Sequence, residues 1–240
     1  MANAIELHVT VNDLLIRIHM GLGDSIIANA IVRHYAEKHR QVVVLCKQHN
    51  AATLDYLWRD KQNIETFSVN DDSEADDAAK SAFKAGFSIL GLGDSKLIAF
   101  GADDFNLDKF DQEFYRIANL PFSDRWDKFV CKRERALEVP GVPDEPFCLI
   151  HDDPKRGYAI KEKHLPDMQR VRIEPGKSKN LFAWWNYIEE AEELHFIDSS
   201  PIIIADSLPE LMAKKLVFHA YARPCGRPPT YRKPWLKLLA

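Results

Sequence analysis

Apolar positions along this chain fall into short continuous runs separated by stretches with helical spacing. Residues 14–18 are apolar except for Arg17, and Ile26, Ile27, Ala30, Ile31 and Tyr35 then recur at helical intervals. This pattern predicts a buried strand followed by an amphipathic helix over about 24–38. Upstream, residues 5–11 alternate apolar and polar and Asn12-Asp13 supplies a turn, so the chain is expected to open with a β-hairpin. Beyond the first helix the rhythm continues, with strands at 42–45, 64–69 and 87–90 and helices at 51–59, 73–85, 107–119 and near 123–137.

Residues 138–146, Glu-Val-Pro-Gly-Val-Pro-Asp-Glu-Pro, break the rhythm. Three prolines and a glycine there sustain neither a helix nor a central strand. The alternation then restarts, with strands at 147–150, 171–173, 194–197 and 216–221 and helices at 180–192 and from about 201. Strands separated by helices imply parallel sheets, and a linker between two such sets implies an α/β protein of two Rossmann-like halves, residues 1–140 and 141–240. In that architecture a ligand binds in the cleft between the halves, outside the carboxyl ends of the strands.

Composition narrows the class. The 240 residues, 46% apolar and 28% charged, suffice for proper cores, which excludes a disordered chain. Apolar runs are strand-sized and no cationic start precedes an apolar segment, so a soluble, cytoplasmic protein is expected. Cys46, Cys131, Cys148 and Cys225 form no CxxC pair, and Cys46 and Cys148 read as reduced core thiols. The net charge of −4 argues against nucleic acid as a partner. It is unevenly spread. Asp71, Asp72, Glu74, Asp76 and Asp77 form an acidic run that reads as solvated surface, whereas residues 211–240 hold seven Lys or Arg and no acid. That basic tail, with Tyr221, Tyr231 and Trp235, is a candidate for contact with an anionic ligand or a membrane surface.

The chemistry concentrates where the first strand meets its helix. In Ile18-His19-Met20-Gly21-Leu22-Gly23-Asp24-Ser25 two glycines let backbone N–H groups approach a ligand, and the helix start adds partial positive charge that favours an anion. Gly21, Gly23 and Ser25 are therefore candidate phosphate contacts. Asp24 has two readings, an N-cap that accepts from the first free amides or a general base facing a sugar pocket. A second Gly-Leu-Gly-Asp at 91–94 is too short to establish a repeat. The first turn lacks the G-x-G-x-x-G spacing, and the second strand ends Leu45-Cys46-Lys47 without an acid, which disfavours a dinucleotide-dependent dehydrogenase.

Three strand-end loops of the second half are polar: 151–157, with Lys155 and Arg156; 174–177; and 195–201, which runs into a helix through Asp198-Ser199-Ser200-Pro201. Ser199 and Ser200 suit a helix cap and equally a diphosphate site, with proline at the expected first helical position. If the strands are adjacent and parallel, Lys155, Arg156, Ser199 and Ser200 arrive at one sheet edge. His151, His195 and His219 lie at strand starts or ends, where hydrogen-bonded structural roles outweigh a metal site. Asp152-Asp153 before proline reads as turn chemistry, with a divalent cation as the alternative. Trp184 and Trp185 cannot both face the core of one regular helix, which leaves one to pack elsewhere or to stack on a base.

The first motif, Arg17 to Ser25 with its apolar helix, resembles the N-terminal motif of the heptosyltransferase-like glycosyltransferases of family 9. The Asp-Ser-Ser turn at 198–200 is similar to that family's turn before its phosphate-binding helix. The resemblance implies a GT-B fold, a nucleotide-diphosphate sugar as donor, a carbohydrate or glycolipid acceptor, and Asp24 as the catalytic base. It makes residues 1–140 the acceptor-binding domain and 141–240 the nucleotide-sugar-binding domain; without close ligand spacing no metal is expected, and no cofactor besides the donor. The family's histidine a few residues after the second turn has no counterpart in Pro201-Ile202-Ile203-Ile204, and the chain is short for the family. A sugar-nucleotide epimerase or hydrolase on the same fold, and a non-catalytic nucleotide- or carbohydrate-binding protein, are the alternatives.

Overall fold

A computed structural model describes residues 13–19, 21–174, 176–209, 211, 213, 215–223 and 227–239. The expected opening hairpin over residues 5–11 lies outside them. Nine strands are described: β1 (Leu14–Ile18), β2 (Val42–Lys47), β3 (Ile64–Val69), β4 (Ser88–Leu92), β5 (Phe147–His151), β6 (Gln169–Arg172), β7 (Glu193–Phe196), β8 (Lys215–His219) and β9 (Leu236–Leu238). The helices are α1 (Leu22–Ile27), α2 (Asn29–Ala36), α3 (Gln48–Trp58), α4 (Asp72–Lys84), α5 (Phe110–Ile117), α6 (Asp124–Asp127), α7 (Trp185–Glu190) and α8 (Ser200–Ser207). The strands form two sheets, ordered β3-β2-β1-β4 and β6-β5-β7-β8-β9, in which every pairing is parallel. The predicted α/β class with two parallel halves is therefore the observed one. No helix among the described residues is long and apolar enough to cross a membrane.

β1 is apolar along its whole length because both its faces are covered. Leu14, Ile16 and Ile18 enter the main core, while Leu15 packs with Ala75 and Ala79 of α4 on the other face. Arg17 shares that second face and is fully buried. Its Nε donates to Asp76 Oδ1 at 2.9 Å and one terminal nitrogen reaches Asp72 Oδ1 at 3.3 Å. Asp72 and Asp76 stand one turn apart on α4, so part of the acidic run neutralises a buried cation instead of forming only a solvated surface.

The halves share one core. Main-core residues come from both sheets, Tyr56 of α3 stacks on Phe182 with ring centroids 5.7 Å apart, and Leu181 N donates to Thr53 Oγ1 at 3.2 Å. The proline-rich segment is docked on the second half: Val139 N donates to Ala183 O and Tyr187 Oη donates to Pro140 O. Trp184 and Trp185, which end a 3-10 turn over Leu181–Trp184 and begin α7, are both buried, and each has its own ring neighbour: Trp184 packs on Tyr187 with centroids 5.1 Å apart and Trp185 on Phe182 at 6.3 Å.

Two predicted elements differ. The helix expected near 123–137 shrinks to α6 and a 3-10 turn at Arg135–Leu137. Between them Val130 O accepts from Asn29 Nδ2, and Arg133 pairs with nearby Glu138 and with distant Glu189, so contacts with other elements hold this segment in place of a helical ladder. The basic tail is a strap across both halves rather than a free charged surface. It ends in β9 beside β8, Arg232 pairs with Asp127 at 2.6 Å, and Arg125 Nη1 donates to Thr230 O. Buried Asp206 of α8 accepts from the Arg232 and Lys233 amides and from the indoles of Trp126 and Trp235. Much of the positive charge proposed for a membrane surface is thus paired within the fold.

Candidate active site

A cavity of about 430 Å³ opens between the sheets at the carboxyl ends of β1, β4, β7 and β8. β1 delivers His19, Gly21, Gly23 and Asp24; β4 delivers Gly93 and Asp94; β7 delivers Asp198, Ser199 and Ser200; and the segment after β8 delivers Arg223 and Arg227. In the first sheet β1 and β4 are the pair at which strand order reverses, the place where open parallel sheets leave a crevice.

Asp24 is the third residue of α1. The cap residue is Gly21, whose extended backbone carries no side-chain cap, so the N-cap reading of Asp24 does not hold. Its carboxylate turns back along the helix start, with Oδ2 3.3 Å from His19 Nδ1. That hydrogen bond raises the pKa of His19, against the opposing effect of its partial burial. Gly21 and Gly23 also line the cavity, whereas Ser25 does not: it is buried, with its hydroxyl on Gly21 O at 3.4 Å.

Ser199 occupies the cap position of α8, but its hydroxyl makes no cap bond. It lies 2.9 Å from His151 Nδ1 and 3.1 Å from Ile197 O. Burial holds the His151 pKa down to about 4, so at neutral pH this imidazole is an uncharged partner of the serine. A histidine thus reaches the second turn from the end of β5, a position remote in sequence. Ser200 is the first helical residue and Pro201 the second, one place later than expected. The start of α8, through Ser199 and Ser200, lines the cavity and carries no capping side chain.

The cations that line the cavity are not those singled out in the sequence. Lys155 and Arg156 lie on an exposed 3-10 turn, Pro154–Arg156, outside the lining; Arg156 pairs with Asp153 at 3.7 Å. Arg223 and Arg227 take that place. Arg223 donates to Asp198 O at 2.6 Å, and Arg227 reaches Asp108 of the first half at 2.9 Å. Arg156 and Arg223 both approach the ring of Tyr158, at 5.4 and 5.6 Å, which links the predicted turn to the cavity edge. In sequence Arg223 and Arg227 were only two charges of the tail, and only the position of β8 singles them out.

The other conspicuous polar residues serve the fold. Asp152 accepts from Ile160 N and Arg172, and His195 and His219 bond to each other at 2.9 Å within the second sheet, away from the cavity lining. Among the described residues no cluster of three or more His, Cys, Asp or Glu is arranged to hold a metal ion. Burial raises the thiol pKa of Cys46 and pushes that of Cys148 up to about 12, which leaves both unreactive.

No family model matches the sequence, and no curated protein does. Solved structures do match. A glycosyl transferase family 9 protein from Veillonella parvula superposes with a TM-score of 0.60 over 98% of this chain and 88% of its own, at 12% identity. TibC, an iron-containing dodecameric glycosyltransferase from enterotoxigenic E. coli, gives a TM-score of 0.53 over 97% of this chain at 14% identity, and this chain covers 64% of TibC. At such identities the likeness is one of architecture: the chain has the two-sheet α/β fold of the family 9 glycosyltransferases.

Proposed function

We propose that this protein is a glycosyltransferase that moves a sugar from a nucleoside diphosphate to an acceptor hydroxyl. The observation that carries the reading is the meeting, in one cavity between the halves, of the Asp24 carboxylate with the uncapped start of α8 and two arginines. A carboxylate suits deprotonation of a hydroxyl, and helix amides with guanidinium groups suit a departing diphosphate. The shared fold with two glycosyltransferases supports the same reading.

On this reading Asp24 takes the proton of the acceptor hydroxyl as its oxygen bonds to the anomeric carbon. The bond from that carbon to the diphosphate oxygen breaks, and the electron pair leaves with the phosphate. Arg223, Arg227 and the α8 amides meet the charge that develops there. His19 holds the Asp24 carboxylate in place, and His151 orients the Ser199 hydroxyl. The first half, residues 1–140, serves the acceptor and residues 141–240 the nucleotide sugar. Lys155 and Arg156 lie outside the cavity, so the diphosphate contact is assigned to Arg223 and Arg227.

Turnover of a panel of UDP-, dTDP-, GDP- and ADP-sugars, with Asp24→Asn beside the wild type, tests the assignment. The variant is expected to keep its fold and its affinity for the nucleoside diphosphate while turnover falls roughly 10²–10⁴-fold, the scale of a lost general base. A folded variant with undiminished turnover removes Asp24 from the mechanism.

A further inference from the structure

Apart from His19, Asp24 and Asp94, the side chains that the first half contributes to the cavity wall are apolar, and the second Gly-Leu-Gly-Asp builds part of that wall. Gly91 and Leu92 close β4, and Asp94 then folds the chain into a compact loop: its carbonyl accepts from Leu97 N at 2.9 Å and Ile98 N at 3.0 Å, and its Oδ1 accepts from Lys96 N at 2.9 Å. The loop turns back so tightly that a Cβ on Gly91 would stand 2.0 Å from Phe100 O, which is why glycine is required there. Ile98 is buried at the cavity, and Leu97 lines it while half exposed. Phe105, Leu107, Phe110 and Phe114 complete the wall, with the Phe110 and Phe114 rings packed edge to face at 5.7 Å.

Resting on the glycosyl-transfer reading, we propose that the acceptor hydroxyl is carried on an apolar, ring-sized scaffold, a phenol or an alicyclic alcohol, rather than on a free saccharide. A saccharide presents hydroxyls on every edge, and each one taken from water needs a new partner. Beyond Asp24 and His19, which bond to each other, this wall offers only the carboxylate of Asp94, one oxygen of which the Lys96 amide already occupies. An aliphatic and aromatic wall instead favours a ligand that gains from burying carbon. The division of the cavity places the acceptor on this side. The arginines and the α8 amides that suit a diphosphate belong to the second half, whereas the apolar wall belongs to the first half with Asp24, the group that must touch the acceptor. Outside the cavity the same loop keeps an apolar character: Phe100, at φ +62°, is exposed against the exposed ring of Phe83 at 5.5 Å.

The test uses the full chain with the donor selected by the nucleotide-sugar panel. The acceptors are 4-methylumbelliferone as the phenol, perillyl alcohol as the alicyclic alcohol, and methyl glucoside and lactose as saccharides. The expected result is a kcat/KM at least tenfold higher for the phenol or the alicyclic alcohol than for either saccharide, and the ratio between those two arms distinguishes the scaffolds. Leu97→Gln, on a half-exposed loop position, is expected to lower apolar-acceptor kcat/KM about five- to tenfold and to leave the affinity for the selected donor's nucleoside diphosphate by calorimetry unchanged. Phe110→Ala is expected to act in the same direction. A preference for saccharides, unchanged apolar-acceptor kinetics in Leu97→Gln, or a wall variant that weakens binding of the selected donor's nucleoside or nucleoside diphosphate overturns the proposal. The last of these makes the wall a nucleobase site. If the wild type binds and consumes no nucleotide sugar, the glycosyl-transfer reading falls as well, which separates the two failures.

Discussion

At the residue scale, the position of Asp24 depends on the absence of a side chain at Gly21. A Cβ there would stand 2.4 Å from Asp24 Oδ2 and 3.1 Å from its Cγ, closer than atoms pack. Gly21 has φ −77° and ψ 138°, which alanine adopts freely, so Gly21→Ala strains no backbone and acts by displacing the carboxylate. The 3.3 Å contact with His19 is then lost. The expected outcome is a Tm within a few degrees of wild type, turnover at least tenfold lower, and a His19 pKa that falls back toward its ordinary value in an NMR titration. An unchanged His19 titration would show that Gly21 does not set this geometry. The place of Asp24 at the cavity was legible because a strand, two glycines and a helix follow one another within a single stretch. Arg223, Arg227 and the contact of His151 with Ser199 were not, because each depends on which strands become neighbours.

At the element scale, β1 and α4 are joined by charge as well as by carbon. Arg17 is fully buried, and Asp76 gives it a 2.9 Å bond while also accepting Ala99 N at 3.0 Å. Asp76→Ala strands a buried guanidinium and an amide at once, whereas Asp77→Ala removes an exposed acid whose partner, Lys80, stands 3.5 Å away. Removing one partner of a buried pair costs several kcal/mol at most, and Asp72 remains, so about 2 kcal/mol is expected, a Tm loss of about 4–8 °C. The Asp77 variant should melt within about 1–2 °C of wild type. Equal melting temperatures for the two variants would mean that Arg17 is held by Asp72 alone. The sequence displayed β1 and α4 clearly, through a continuous apolar run and helical spacing, but not their pairing, since an acidic run looks the same in water and against a hidden arginine. β9 went unread for a related reason. Leu236–Leu238 carries no strand pattern of its own, and β8 and the hold of Asp206 on the strap settle its place.

At the scale of the whole molecule, the second half carries a polar chain with a defined direction. Lys161 N donates to Tyr221 Oη at 3.0 Å, and Glu193, a carboxylate, can only accept from His195 Nε2 at 2.8 Å. His195 Nδ1 must then accept from His219 Nε2 at 2.9 Å, which leaves His219 Nδ1 to accept from Tyr221 Oη at 3.2 Å. Both imidazoles are neutral in this arrangement. Burial lowers the pKa of His195 and, with His195 and His164 nearby, holds that of His219 down to about 3; burial likewise holds His151 at about 4. Folded pKa values below the unfolded value of about 6.5 mean that the unfolded chain binds protons the folded chain refuses. The stability from these groups is fully present above pH 6.5 and is lost as pH falls toward 4. His19 runs the other way, since its raised pKa adds stability below pH 6.5 that is lost as pH rises through the folded value, but its half-exposed pair with Asp24 adds little. The wild type should therefore melt lower at pH 5 than at pH 8, with His219 alone accounting for about 2 kcal/mol, or about 4–8 °C. His219→Gln retains an N–H for His195 Nδ1 and cannot titrate. Its fall in Tm between pH 8 and pH 5, followed by circular dichroism, should be smaller than that of wild type by about that amount, whereas parallel pH profiles would place the acid sensitivity in other groups.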